Sequence, residues 1–189
     1  MNPDDSENIE ENLKRRRERF VSKADDFTIH PPATGLQRLT TWQRLNTQQV
    51  GAYAEYFVKM FLTMKGFQVY SAEVDDRGID FVARYEKGSF IEIQVKSMRF
   101  ATGYIFAEKS KFELSKTLYL ALVIFNRPLY PDIYFIPSTR WENADRVFVR
   151  RDYIGKKSKP EWGINISAKN MHALSQFKAE TSIDELKKI

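Results

Sequence analysis

The chain has no cysteine. Disulfides, thiolate nucleophiles and cysteine zinc sites are therefore excluded together. Histidine is nearly absent too, with only His30 and His172 among 189 residues. A histidine-based triad or a histidine-rich metal centre has little to draw on, so a bound metal would take oxygen ligands, which suits Mg²⁺, Mn²⁺ or Ca²⁺. No apolar run is long enough to span a bilayer, and the N-terminus is too charged for a signal peptide. No membrane partner is expected, and a reducing, cytoplasmic location fits the missing cysteines. No internal repeat is evident.

What is present suits one globular domain with a sizeable core: 42% hydrophobic, 14% aromatic and 29% charged residues, at a net charge of +5. That charge permits an anionic partner without establishing one. Residues 1–40 stand apart. They begin acidic, turn basic from Lys14 to Arg19 and end in the Pro-containing "TIHPPATG", which reads as a charged extension and linker. The basic run suits either a solvated helix with local Glu–Arg pairs or a contact with nucleic acid. The domain proper is expected over 41–189.

The spacing predicts a helix over 46–65, with Val50, Ala54, Phe57, Phe61 and Met64 as its apolar face and Gly66 as its stop. "FQVYS" reads as a strand, "AEVDDRG" as a loop, and "IDFVARYEKGSFIEIQVKS" as a hairpin. "EKSKFELSK" suggests a short helix. "LYLALVIF" has the continuous apolarity of a strand buried on both faces. "DIYFIPS", "RVFVRRD" and "WGINIS" read as further strands, "KNMHALSQFKAE" begins as a helix, and "SIDELKKI" reads as a last helical turn or frayed end. The order implies an α/β fold with a mixed central sheet flanked by helices.

The hairpin raises the functional question. Side chains alternate along a strand, so in "IEIQVK" Ile91, Ile93 and Val95 point one way and Glu92, Gln94 and Lys96 the other. Pairing across "YEKGS" brings Asp80 beside Gln94 or Lys96. A carboxylate and an amide oxygen can hold a hard divalent cation, and a lysine beside them can orient a water or stabilise charge on a phosphate. Salt bridging across an exposed hairpin accounts for the same residues. Glu55, at the edge of the helix face, either looks towards the sheet or pairs with Lys59 at i+4. Gly78 in "DDRGID" marks a sharp turn or a close approach.

Helix glutamate, strand aspartate and a returning Gln-x-Lys, in that order, resemble the PD-(D/E)XK nuclease superfamily. The matching residues are Glu55 in "GAYAE", Asp80 in "RGID" and Gln94-Val95-Lys96 in "IQVKS", with 13 residues between Asp80 and Gln94. The chain is most similar to small bacterial members that carry "D-x-R-G-I-D" and "I-Q-V-K-S"; the likeness covers Gly51 to Ser97 well and the following helix and strand loosely. It implies a restriction-endonuclease-like core and metal-dependent hydrolysis of phosphodiester bonds, with Mg²⁺ or Mn²⁺ as cofactor and DNA as the favoured substrate. By position, Asp80 would be the main metal ligand, Gln94 a ligand in place of the usual Glu or Asp, and Val95 a ligand through its backbone carbonyl. Lys96 would be the catalytic lysine and Glu55 an auxiliary ligand. A homodimer is compatible with the resemblance. The neutral Gln94 lowers the ligand charge, and it leaves open a second reading, a weak or inactive nucleic-acid-binding module that kept the fold.

A basic stretch with interleaved aromatics follows. Arg146, Arg150, Arg151, Lys156 and Lys157 accompany Phe148, Tyr153 and Trp162, and with Arg77 they are the candidates for nucleic-acid binding. An exposed hairpin with core aromatics is the alternative. Trp141 and Trp162 are read as core packing, and His30 and His172 as structural or exposed.

Overall fold

In the computed structural model of the chain, residues 42–71, 78–99, 103–126 and 130–189 are described. All of them belong to one compact unit, Leu39–Ile189. The charged extension and Arg77 lie outside the described residues.

Asn46 opens helix α1 (Thr47–Met64). Its side chain accepts from the Gln49 N–H at 2.8 Å, and the Gln49 side chain accepts from the Asn46 N–H at 2.8 Å. This reciprocal box satisfies two donors that a helix start otherwise leaves unpaired. Gly66, at φ +90°, follows the helix end. The buried ladder is Val50, Ala54, Val58 and Leu62, with Phe57 and Phe61 partly buried beside it and Met64 78% exposed. The face is therefore rotated from the one expected. Small Ala54 and β-branched Val58 let the helix backbone approach the sheet, and the rings spread to its sides.

The chain continues through β1 (Phe67–Ser71), β2 (Phe81–Tyr85), β3 (Ile91–Arg99), β4 (Gly103–Glu108), β5 (Leu118–Phe125), β6 (Asp132–Pro137), β7 (Phe148–Arg151), β8 (Glu161–Ile166) and helix α2 (Ala179–Leu186). Five strands form one mixed sheet in the order β1-β2-β3-β5-β6, parallel only between β3 and β5. The other three form an antiparallel sheet, β4-β8-β7.

β5 explains the layering. Ala121, Val123 and Phe125 join a core with α1, α2 and the Phe81, Ile91 and Ile93 side chains. Leu118, Leu120, Leu122 and Ile124 join a second core with Trp141, Phe148 and Ile164. Two apolar faces are the reason for its unbroken hydrophobic run. The fold is thus α/β, a five-stranded mixed sheet with helices on one face and the small antiparallel sheet on the other. No helix among the described residues is long and apolar enough to cross a membrane.

Three expectations need correction. "EKSKFELSK" supplies only a 3₁₀ turn, Lys109–Lys111, because its one deeply buried residue, Phe112, needs a single anchor and not a helical face. "KNMHALSQFKAE" holds two further 3₁₀ turns, Met171–Ala173 and Ser175–Phe177, before α2 begins. The third departure is β4, a strand that the sequence-based expectations do not contain.

Candidate active site

The site begins where β2 and β3 part. Cross-strand pairs join them only from Phe81–Ile93 to Ala83–Ile91, whereas on its other side β3 pairs with β5 from Glu92 to Arg99. Asp80, just before β2, donates its backbone N–H to the Ile93 carbonyl at 2.9 Å. Beyond that rung the Asp80 side chain takes over from the backbone: Oδ2 accepts the Val95 N–H at 2.5 Å. An ionised carboxylate has acceptor capacity for more than one partner, so this bond aims the group without exhausting it.

Gln94 lies next to that bond. It is 5% exposed. Its Nε2 donates to the Gly78 carbonyl at 2.5 Å, and its Oε1 is buried with no hydrogen-bond donor among the described residues. Gly78 makes the contact feasible: its φ is +74°, and a Cβ there would lie 2.6 Å from Gln94 Nε2 and 3.0 Å from the Lys111 carbonyl oxygen. The glycine before the aspartate is thus required both for its backbone conformation and for a close approach.

Lys96 is two residues further along the same face. Gln94 and Lys96 point away from the core beneath α1, since Ile91, Ile93 and Val95 face that core. Together they line an open cleft of about 390 Å³, with β4 as the opposite wall. Tyr104, Ile105, Phe106 and Glu108 come from β4, and Lys111 from the turn after it. Glu108 accepts from Lys159 at 2.9 Å and from the Ser110 hydroxyl, and the Ser110 bond followed by the Lys159 contact holds its carboxyl below the usual carboxylate range.

The structure therefore bonds the Asp80 carboxylate to the Val95 N–H, ties the Gln94 side chain to Gly78 two residues before Asp80, and places Lys96 on the cleft that Gln94 lines. Glu55 is half-buried on α1, the helix that packs on the other face of β3, and among the described residues no hydrogen bond or ion pair joins it to the other three. No group of three or more His, Cys, Asp or Glu among the described residues could hold a metal ion by themselves. Any ligand set here is mixed, one carboxylate with neutral oxygens. The orphaned Gln94 Oε1 fits such a set, because a buried amide oxygen without a donor is costly and a hard cation would satisfy it.

The basic candidates are dispersed by comparison. Arg146 is exposed. Arg150 pairs with Asp152 at 2.9 Å and sits over the Trp162 ring at 5.8 Å. Arg151 lies 4.0 Å from Glu161 and over the Tyr104 ring at 4.3 Å. Lys156 and Lys157 are exposed in the loop between β7 and β8. Phe148 is fully buried and unavailable for stacking, as is Trp141, whose Nε1 donates to the Gly163 carbonyl. Trp162 is half-buried and donates to the Phe112 carbonyl at 3.1 Å. His172 is exposed. His30 lies outside the described residues.

Sequence reasoning missed the β4 wall. Its signal was there: "GYIFAE" is rich in strand-forming Tyr, Ile and Phe and starts at a glycine.

No protein-family model matches the chain, and no curated protein matches it in sequence. Among solved structures it resembles a Holliday junction resolvase of the archaeal hyperthermophile Archaeoglobus fulgidus, at 14% identity and a TM-score of 0.44, covering 70% of this chain and 94% of that one. It also resembles a bacterial homing endonuclease, at 13% identity and a TM-score of 0.48, covering 76% of this chain and 92% of that one.

Proposed function

We propose that the chain is a metal-dependent nuclease of the PD-(D/E)XK type, hydrolysing phosphodiester bonds of nucleic acid, with DNA as the favoured substrate. The observation that carries this reading is the conjunction of the Asp80 carboxylate bonded to the Val95 N–H, the buried acceptor Gln94 Oε1 with no donor among the described residues, and Lys96 on the cleft that Gln94 lines. Asp80, Gln94 Oε1 and the Val95 carbonyl would hold Mg²⁺ or Mn²⁺, with Glu55 as an auxiliary ligand. Bound there, the cation supplies Lewis-acid polarisation of the phosphate and acidification of a water. The chain's own residues do the rest. Asp80, fixed by the Val95 N–H, contributes negative charge at a set position. The Lys96 ammonium orients the attacking water and offsets charge that develops on the phosphate oxygens. The cationic side chains Arg77, Arg146, Arg150, Arg151, Lys156 and Lys157 would hold the backbone.

The decisive comparison is wild type against Lys96→Ala on DNA and RNA substrates, with Mn²⁺ or with EDTA. Metal-dependent cleavage by the wild type, and a loss of about 10²–10³-fold in rate in the variant with binding retained, is the expected result. Equal rates at saturation would remove Lys96 from the chemistry. Calorimetric titration should show Mn²⁺ binding to wild type and none to Asp80→Ala.

The scarcity of carboxylates favours a second reading. With no group of three or more His, Cys, Asp or Glu among the described residues able to hold a metal, a weakly active or inactive nucleic-acid-binding module is the alternative. Binding by both proteins, with cleavage by neither, would select it.

A further inference from the structure

The β4 wall of the cleft carries an aromatic arrangement that the hydrolytic residues do not use. Phe106 is 52% exposed at the cleft. Its ring is stacked with that of Tyr104, two residues back on the same face of β4, at a centroid distance of 6.1 Å and an interplanar angle of 20°. The Arg151 guanidinium lies over the Tyr104 ring at 4.3 Å.

This arrangement is held in place. Tyr104 passes so close to Gly163 of β8 that a Cβ there would lie 2.0 Å from the phenol oxygen, so only glycine admits the ring. The Tyr104 hydroxyl donates to Glu161 Oε1 at 2.6 Å, and the Tyr153 hydroxyl donates to the same oxygen at 2.8 Å. Glu161 itself is 7% exposed. Burial first, then this bond to Glu161, pushes the Tyr104 phenol above the usual tyrosine range, which keeps it a donor at any ordinary pH. A buried carboxylate, a second tyrosine and a glycine thus fix Tyr104, and Tyr104 backs Phe106. Phe106 is half exposed, its neighbour is locked, and it lines the cleft together with Gln94 and Lys96.

We propose that Phe106, backed by Tyr104 and Arg151, is a stacking platform for an unpaired base next to the phosphate held at Lys96, so that the substrate class is nucleic acid with single-stranded or splayed nucleotides. The proposal rests on the nucleic-acid reading of the cleft. Three points support it. An aromatic face takes any base, and its preorganisation lowers the cost of ordering on binding. The surroundings have the right charge, with Lys96 and Lys111 lining the same cleft and Arg151 behind the ring pair. In a continuous duplex the base faces are already covered by their neighbours, so only an unstacked base can use the ring.

Binding should be measured in EDTA, so that nothing is cleaved, by fluorescence anisotropy with labelled oligothymidylate, oligouridylate and a mixed-sequence DNA duplex. Phe106→Ala should weaken both single strands by about 5- to 100-fold, the span expected for one stacked base, and leave the duplex unchanged. Phe106→Trp should retain single-strand binding, and its added fluorescence should be quenched by oligonucleotide. The stronger of the two single-strand arms then says whether the base comes from DNA or RNA. Unchanged single-strand affinity in Phe106→Ala, an equal loss on duplex and single strands, or an unquenched Phe106→Trp would each overturn the platform. Should Phe106→Ala fail to fold, the quenching result alone decides. The nuclease reading fails separately: single strands that bind through Phe106 but are never cut with Mn²⁺ leave the platform standing and remove the hydrolysis.

Discussion

Gln94 is where the proposed chemistry of this chain meets its fold. Its amide nitrogen closes the Gly78 turn while its oxygen is buried with no donor among the described residues, so in the proposed site each half of the amide has a separate task. A glutamate there would add the anion that the proposed ligand set lacks but would turn a carboxylate oxygen towards the Gly78 carbonyl. Gln94→Glu should therefore be destabilised without metal by about 1–3 kcal/mol and should gain more from Mn²⁺ than the wild type does. Thermal melts with and without Mn²⁺ give both quantities, and equal gains would argue against Gln94 as a ligand. Gly78→Ala tests the other end of the same bond. It forces a side chain into a left-handed conformation and against Gln94 Nε2 and Lys111, which should cost about 1–3 kcal/mol in chemical denaturation and lower Mn²⁺ affinity along with stability.

At the scale of elements, the two faces of β3 separate the core from the proposed site. Ile91 and Ile93 pack beneath α1, while Gln94 and Lys96 line the cleft. Leu62→Ala in α1 should cost about 2–5 kcal/mol as a core truncation, yet leave Mn²⁺ affinity unaltered at temperatures where the variant is folded; a melting curve and a titration on the same sample check both. This separation also governs what could be read in advance. α1, β1, β5 and β6 were legible because periodicity reports a face packed on a core. The parity of Gln94 and Lys96 was legible for the same reason. The α1 face was read too far towards its rings, because composition says which residues are apolar and not how closely two layers approach. β4 escaped because its outward side chains are aromatic and its pairing partner, β8, comes about 60 residues later. The basic run after Arg146 could be read as charge, but not that Asp152 and Glu161 would engage Arg150 and Arg151.

For the molecule as a whole, a net charge of +5 is modest, so any grip on a polyanion depends on where the cations are placed. Lys156 and Lys157 are exposed in the β7–β8 loop, apart from the Asp152 and Glu161 pairs. Reversing both to glutamate should lower nucleic-acid affinity across all sequences and flatten its dependence on salt by about one unit of slope per lost phosphate contact. Anisotropy titrations at several salt concentrations measure that slope, and cleavage at saturating substrate should be untouched.

The parallel pairing of β3 with β5 has a kinetic consequence. The chain between them leaves the main sheet to lay down β4, whose one strand partner among the described residues is β8, near the C-terminal end. The cleft thus has one wall from the middle of the sequence and another that waits for the last strand to arrive. Loop closure over such separations is slow compared with forming α1 or the β2–β3 hairpin. In a refolding time course, helical signal should return first, and the cleft, reported by fluorescence of a Phe106→Trp chain on oligonucleotide, only with the final cooperative phase. Such a chain would acquire the proposed nucleic-acid contacts at the moment it is complete and not before.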